Sequence, residues 1–233
     1  MNYIIINGKN SHQVNGLMIL NLPPITKPGI RYKKTEIDGV DGDLIEKLGY
    51  QSYDKSFDIG LVRDYDVDEI SEFFKEEGTV TFSNEQDKYY KYKLLTPINY
   101  EKLITLKKAK VTLHVEPFKY SNVEGKQTFK NIQNKVTIRN NGNTFSKPIF
   151  WLYGANTISL SIGNKNPFRI ENLEGCVAID TEKMEVYEPV SGVLMNRVSF
   201  GSFEDLYLDV GKNEVTVTGN VTKIEIENKS RWL

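Results

Sequence analysis

The residues able to act as nucleophile, general base or soft metal ligand are few: two histidines, His12 and His114, and one cysteine, Cys176. A zinc site needs several nitrogen or sulfur donors at close spacing, and an H-E-x-x-H motif needs two histidines on one helix face. Neither pattern occurs. His114 sits between Leu113 and Val115 in an alternating run and reads as an outward or hydrogen-bonded strand residue, while His12 sits in polar sequence. Cys176 opens the apolar run Cys176-Val177-Ala178-Ile179 and reads as a buried structural thiol. A lone cysteine cannot close an intramolecular disulfide, so folding without covalent staples is expected, as in reducing cytoplasm.

Carboxylates are more numerous. Asp38, Asp41 and Asp43 alternate around glycines, and Asp64, Asp66 and Asp68 alternate along the chain. Such spacing suits Ca²⁺, but an EF-hand loop needs a glycine where the second group has Glu69. Helix capping accounts better for Asp66. A pair of carboxylates for glycoside hydrolysis could be chosen almost at will from 31 acidic residues, so no pair stands out. Trp151, Tyr153 and Trp232 are the residues a sugar platform would use, with sandwich core or subunit contact as the plainer reading. The run from 88 to 93 alternates Lys and Tyr and could stack single-stranded nucleic acid. With 30 basic against 31 acidic residues the net charge is -1, which favours a solvated strand face instead. P-loop, dinucleotide and G-x-S-x-G patterns are missing. No catalytic, cofactor or metal residue is therefore assigned.

The elements that must position these residues are mostly strands. Tyr and β-branched residues recur in short runs separated by Gly, Asn, Asp and Pro. Strands are expected at 3–6, 17–22, 57–62, 78–83, 89–95 and 110–115. Asp38-Gly39 and Asp41-Gly42 demand positive φ and a tight reversal. One helix is expected at 67–77, with Asp66 as N-cap, Glu69 completing a capping box, Val67, Ile70, Phe73 and Phe74 on one face, and Gly78 as the stop. Pro117 should break the ladder that precedes it. Residues 121–134 read as a connector with one strand at 127–130. From Val136 the pattern is purely β, with short strands at 148–152, 157–162, 176–180, 185–187, 207–210, 214–218 and 223–227. The chain opens on a strand rather than a signal peptide, and no run approaches a membrane span. The expected fold is mainly β in two domains, 1–120 with one helix and 121–233 as an all-β sandwich.

The order of these segments resembles the distal tail (Dit) protein family of long-tailed phages. Ile37-Asp38-Gly39-Val40-Asp41-Gly42-Asp43-Leu44 resembles the family's acidic-Gly signature, with Val40 where many members carry Arg. The helix, the strand from 78 to 82 and the tyrosine-rich strand follow in family order. Pro117-Phe118-Lys119-Tyr120 is similar to the end of its closing strand. Asn140-Asn141-Gly142-Asn143, Ser146-Lys147-Pro148-Ile149, Val177-Ala178-Ile179-Asp180 with Val186-Tyr187, Val210-Gly211-Lys212-Asn213-Glu214-Val215 and Ser230-Arg231-Trp232-Leu233 continue the likeness. Asn166-Pro167-Phe168-Arg169 resembles a galectin sugar motif, with Asn164 where its His is expected.

The resemblance implies an N-terminal ring (belt) domain and a C-terminal galectin-like β-sandwich that serves as an interaction module. It implies a homo-hexameric ring, single or as two stacked rings, at the virion tail tip. The partners would be the tail tube protein, the tail-associated lysin or tip protein and receptor-binding proteins. DNA would pass through the lumen only as cargo, and no membrane insertion is implied. Synthesis would occur in the bacterial host cytoplasm, from a phage or prophage gene. A heterologous interface that closes makes a ring. The stretch 27–36 and the Asp-Gly loop are the irregular parts expected to project into such contacts, with plain surface turns as the alternative reading. The candidate subunit or partner contacts are Arg31, Lys33, Lys34, Glu36, Asp38, Asp41 and Asp43. The competing readings are a carbohydrate-binding module for cell-wall polysaccharide acting through Trp151, and a hydrolase.

Overall fold

The computed structural model describes the chain except Val40, Arg63 and residues 131–134. It divides into two compact units, Met1–Asn122 with Leu233, and Val123–Trp232. In the first unit the strands are β1 (Ile4–Ile6), β2 (Lys9–Asn10), β3 (Leu17–Ile19), β4 (Ile30–Glu36), β5 (Asp43–Tyr50), β6 (Tyr53–Leu61), β7 (Glu77–Phe82), β8 (Lys88–Lys93) and β9 (Lys108–Ser121). Two helices accompany them, α1 (Val67–Phe73) and α2 (Tyr100–Leu106). An antiparallel sheet runs β2-β1-β7-β8-β9-β6-β3, and β4 and β5 pair only with each other.

Period-two alternation explains this sheet. Phe57, Ile59, Val80, Phe82, Tyr90, Tyr92, Val111, Leu113 and Val115 all point inward and join one core with Ile70, Phe73, Phe74 and Leu103 from the helices.

The helix content differs from the expected single helix at 67–77. α1 stops at Phe73, and Glu77 and Gly78 already belong to β7. Two glutamates in the last turn would have opposed the helix dipole, and the shorter helix leaves them outside. Asp66 caps it as expected, accepting from the N–H groups of Asp68 and Glu69 at 2.9 and 3.3 Å. The reciprocal half of the capping box is replaced. Glu69 instead accepts from the Asn15 N–H at 3.2 Å and from Lys9 at 3.1 Å, which in that order hold its carboxyl below the usual range. α2 was not foreseen. Its signal is Asn99, whose side chain accepts from the Lys102 N–H at 2.7 Å, and its single buried residue, Leu103, is too little for a periodicity argument.

Pro117 does not end its strand. β9 continues to Ser121, and the register against β8 jumps from Tyr92↔Val115 to Tyr90↔Lys119. The proline sits in that bulge, where the missing donor leaves no gap in the ladder.

The second unit holds β10 (Lys126–Lys130), β11 (Lys135–Asn140), β12 (Ile149–Ile162), β13 (Phe168–Asp180), β14 (Glu185–Tyr187), β15 (Ser199–Phe200) and β16 (Gly211–Glu227). The order is β10-β16-β12-β13-β14, with β11 also on β16 and β15 also on β13. Several expected short strands are thus fused. Residues 148–152 and 157–162 lie on one strand, as do 214–218 and 223–227. No strand forms at 207–210, where Leu208 makes a single bridge to Ser146.

The fusion has a visible cause. β16 pairs β11 through residues 211–216 and β10 through residues 223–227. Between them Gly219 has φ +99°, and a Cβ there would lie 2.3 Å from the Thr157 carbonyl oxygen. A Cβ on Gly154 would lie 2.0 Å from the Asn220 carbonyl oxygen. The glycines let adjacent strands crowd where the ladder bulges. In sequence these bends look like turns between separate strands. Phe150, Leu152, Ile158, Leu160, Ile170, Val177, Val217 and Ile224 form the core.

Candidate functional site

β4 and β5 form a two-stranded arm. The register runs from Ile30↔Tyr50 to Glu36↔Asp43, with a bulge between Arg31 and Tyr32. All seven residues of β4 are exposed. The stretch 27–36, expected to be irregular, is therefore largely a paired strand. At the tip Gly39 and Gly42 take φ +80° and +93°, as the two Asp-Gly pairs require. Val40 of the signature lies outside the described residues.

Every candidate contact residue falls on this arm. Tyr32 faces Lys47, Lys34 faces Ile45 and Glu36 faces Asp43 across one face. Lys33 faces Glu46 and Thr35 faces Leu44 across the other. Arg31 lies by the bulge, and Asp38 and Asp41 flank the tip turn. Lys34 pairs with Glu36 at 2.9 Å and Asp43 at 3.1 Å, and hydrogen bonds to both carboxylates raise its ammonium above the usual lysine range. Sequence reasoning chose the charged residues and passed over the apolar ones between them. Ile30, Tyr32, Ile37, Leu44, Ile45 and Leu48 are each 42–61% exposed.

The root of the arm is firmly held. The Gln51 N–H donates to the Gly29 carbonyl at 2.8 Å, and Tyr50 packs edge-on against Phe118 at 5.7 Å. Just before the arm, three side chains fasten residues 23–26. Lys55 Nζ donates to the Pro24 carbonyl at 2.8 Å, Asn84 to that of Pro23 at 3.1 Å, and the Tyr53 hydroxyl to that of Thr26 at 3.4 Å. Lys55 is buried, with its ammonium 4.7 Å from the Tyr90 ring centroid and 5.6 Å from that of Phe82. Burial lowers its pKa to about 8 against the opposing pull of Glu85. Glu85 also holds buried Lys119 at 2.9 Å and accepts from Tyr90. Burial, then Glu85, pushes the Tyr90 hydroxyl far up.

The remaining chemical candidates are not assembled into a site. His114 Nδ1 meets Asp54 at 2.8 Å on the outer sheet face, and the His12 ring lies 5.4 Å from Tyr3. Cys176 is partly buried, and burial raises its thiol pKa. Among the described residues no group of three or more His, Cys, Asp or Glu is arranged to hold a metal ion. Among them, too, no helix is long and apolar enough to cross a membrane. Trp151 and Tyr153 do stand side by side on the outer face of β12. Lys126 and Lys223 place their ammonium groups 3.5 Å from the two ring centroids, over faces a sugar would need. Trp232 is not in that row. Phe168 of the galectin-like motif is buried against Phe203, and Arg169 pairs with Glu171 at 2.9 Å.

The fold of this chain is one it shares with solved phage tail hub and baseplate proteins. Specifically, it is the distal tail protein fold. The SPP1 Dit protein, described as a paradigm of the hub adsorption apparatus in phages infecting Gram-positive hosts, superposes with a TM-score of 0.71 at 14% identity, covering 100% of both chains. A chain of the phage P2 baseplate in its activated conformation with Ca gives 0.59 at 11% identity, covering 100% of this chain and 98% of that one. The same baseplate with Sr gives 0.53 at 10% identity, covering 97% and 98%. No family profile and no curated protein matches the sequence.

Proposed function

We propose that this chain is a structural distal tail protein. It assembles as a hexameric ring, single or stacked in two, at the tip of a phage tail. There it joins the tail tube to the tail-associated lysin or tip protein and serves as a hub for receptor-binding proteins. DNA passes through the ring as cargo, and no substrate is turned over. The protein is made in the host cytoplasm and acts in the virion.

The observation that carries this reading is the arm. A two-stranded hairpin is marginal in water without further packing. This one presents large apolar side chains on both faces, and they stay exposed on the single chain. Contiguous exposed apolar groups rimmed by charge mark an interaction surface. Arm and acceptor are different patches, and repeating such a heterologous contact closes a ring. The whole-chain likeness to hub and baseplate proteins points the same way.

Sedimentation velocity with negative-stain microscopy tests it. The expected outcome is a ring of hexameric mass for the native chain and a monomer for the triple variant Tyr32→Ser/Leu44→Ser/Ile45→Ser. A native chain that stays monomeric at high concentration, or a triple variant that still forms rings, would refute it.

A further inference from the structure

The arm does not carry its charge evenly. Its outer half bears Glu36, Asp38, Asp41 and Asp43, with Lys34 as the cation paired to two of them. Ile37, Leu44 and Ile45 stand exposed among these carboxylates. An acceptor for this tip must offer apolar surface together with surplus positive charge.

Two surfaces of the same unit bring several cations together. The first is a groove of about 520 Å³ across β7, β8 and β9, lined by Lys91, Lys93 and His114. Each of these cationic or ionisable groups already faces a carboxylate: Lys91 with Glu116 at 3.9 Å, Lys93 with Glu77 at 3.7 Å, and His114 with Asp54 at 2.8 Å. Its charge is balanced.

The second surface is the corner where α2 runs into β9. Lys102, Lys107, Lys108 and Lys110 are all exposed there, and Glu101 is the one acid of residues 101–110. Ile104 and Leu106 are exposed between the lysines, while Leu103 and Ala109 fix the corner to the core. Asp58 on neighbouring β6 takes Lys108 at 3.0 Å, which still leaves cations in excess. Lys107 sits at φ +55° as the helix C-cap, in a backbone region that favours glycine. Its ammonium donates to the Tyr65 hydroxyl at 3.1 Å and lies 4.5 Å from that ring. The corner is thus apolar and basic, the complement of a tip that is apolar and acidic.

We propose that the arm tip of one copy seats on the α2–β9 corner of the next copy, with Leu44 and Ile37 against Ile104 and Leu106, and the tip-turn carboxylates Asp38 and Asp41 among Lys102, Lys108 and Lys110. This rests on the ring reading and names the acceptor that reading leaves open. It makes α2 half of the subunit interface.

The test uses the full chain with Cys176→Ser, so that introduced thiols are the only ones. Asp41→Cys and Lys102→Cys together should give a disulfide ladder of linked subunits under oxidation, while either alone should not progress beyond dimers. Independently, Lys102→Glu/Lys110→Glu should weaken assembly at least about tenfold, and adding Asp38→Lys/Asp41→Lys should restore most of it. Rings that form normally yet show neither the ladder nor the charge-swap rescue would overturn the acceptor and leave the ring reading standing. A native chain that never assembles would overturn both.

Discussion

The arm β4–β5 and the strand pair β12–β13 are both long antiparallel ribbons rich in apolar residues, yet they treat those residues oppositely. β12 sends Phe150, Leu152, Ile158, Leu160 and Ile162 to one side, all buried. The arm divides its apolar groups, with Tyr32 and Ile45 on one face and Leu44 on the other, all exposed. One-sided allocation closes a core within the chain. Two-sided allocation leaves the chain with surface that its own sheet cannot cover. The difference separates what closes the core of the chain from what stays on its surface.

The sandwich gives the largest expected effect. Phe150→Ala should destabilise the second unit by about 3–5 kcal/mol, because a fully buried aromatic leaves a cavity as well as losing transfer energy. Urea unfolding followed by tryptophan fluorescence checks it, and a loss below about 1 kcal/mol would contradict the one-sided assignment.

A smaller effect belongs to the root of the arm. Lys55 has a folded-state pKa of about 8, below its ordinary value of 10.5. Above pH 8 the folded chain therefore binds fewer protons than the unfolded chain, and stability rises with pH. The penalty of the buried charge is complete below pH 8 and is relieved between 8 and 10.5. Urea titrations at pH 7.5 and 9.5 should show a gain of about 2 kcal/mol in the native chain relative to Lys55→Met. The comparison stays below pH 10 because buried Tyr90 and Tyr92, with raised pKa values, oppose the trend beyond it. Equal pH dependence in both proteins would show that Lys55 is not the titrating group.

The smallest effect sharpens the comparison most. Under dilute, monomeric conditions Tyr32→Ser/Leu44→Ser/Ile45→Ser should change unfolding stability by less than about 0.5 kcal/mol per site, as for exposed positions generally. The same variant is the one expected to abolish assembly. A loss of several kcal/mol in the monomer would mean the arm packs inside its own chain.

Legibility in the sequence followed from how local each cause is. Alternation in 89–95 and 110–115 was readable because it requires only neighbours two residues apart. The N-cap at Asp66 and the Asp-Gly turns were readable for the same reason. α2 was not, because one buried leucine yields no period. The continuity of β12 and β16 was hidden because glycines that bend a strand look like glycines that end one. At the arm, charged residues drew attention by type. The apolar ones, which argue more strongly for a partner, matter only once the structure shows that nothing in their own sheet covers them.

The bent strands of the sandwich have a mechanical corollary. β16 runs from β11 to β10, and β12 follows it past the Gly154–Gly219 crowding, so covalent backbone rather than side-chain adhesion links the two ends of the sheet. Shear applied at one end therefore travels along peptide bonds to the other, and the halves cannot slide apart as separate plates.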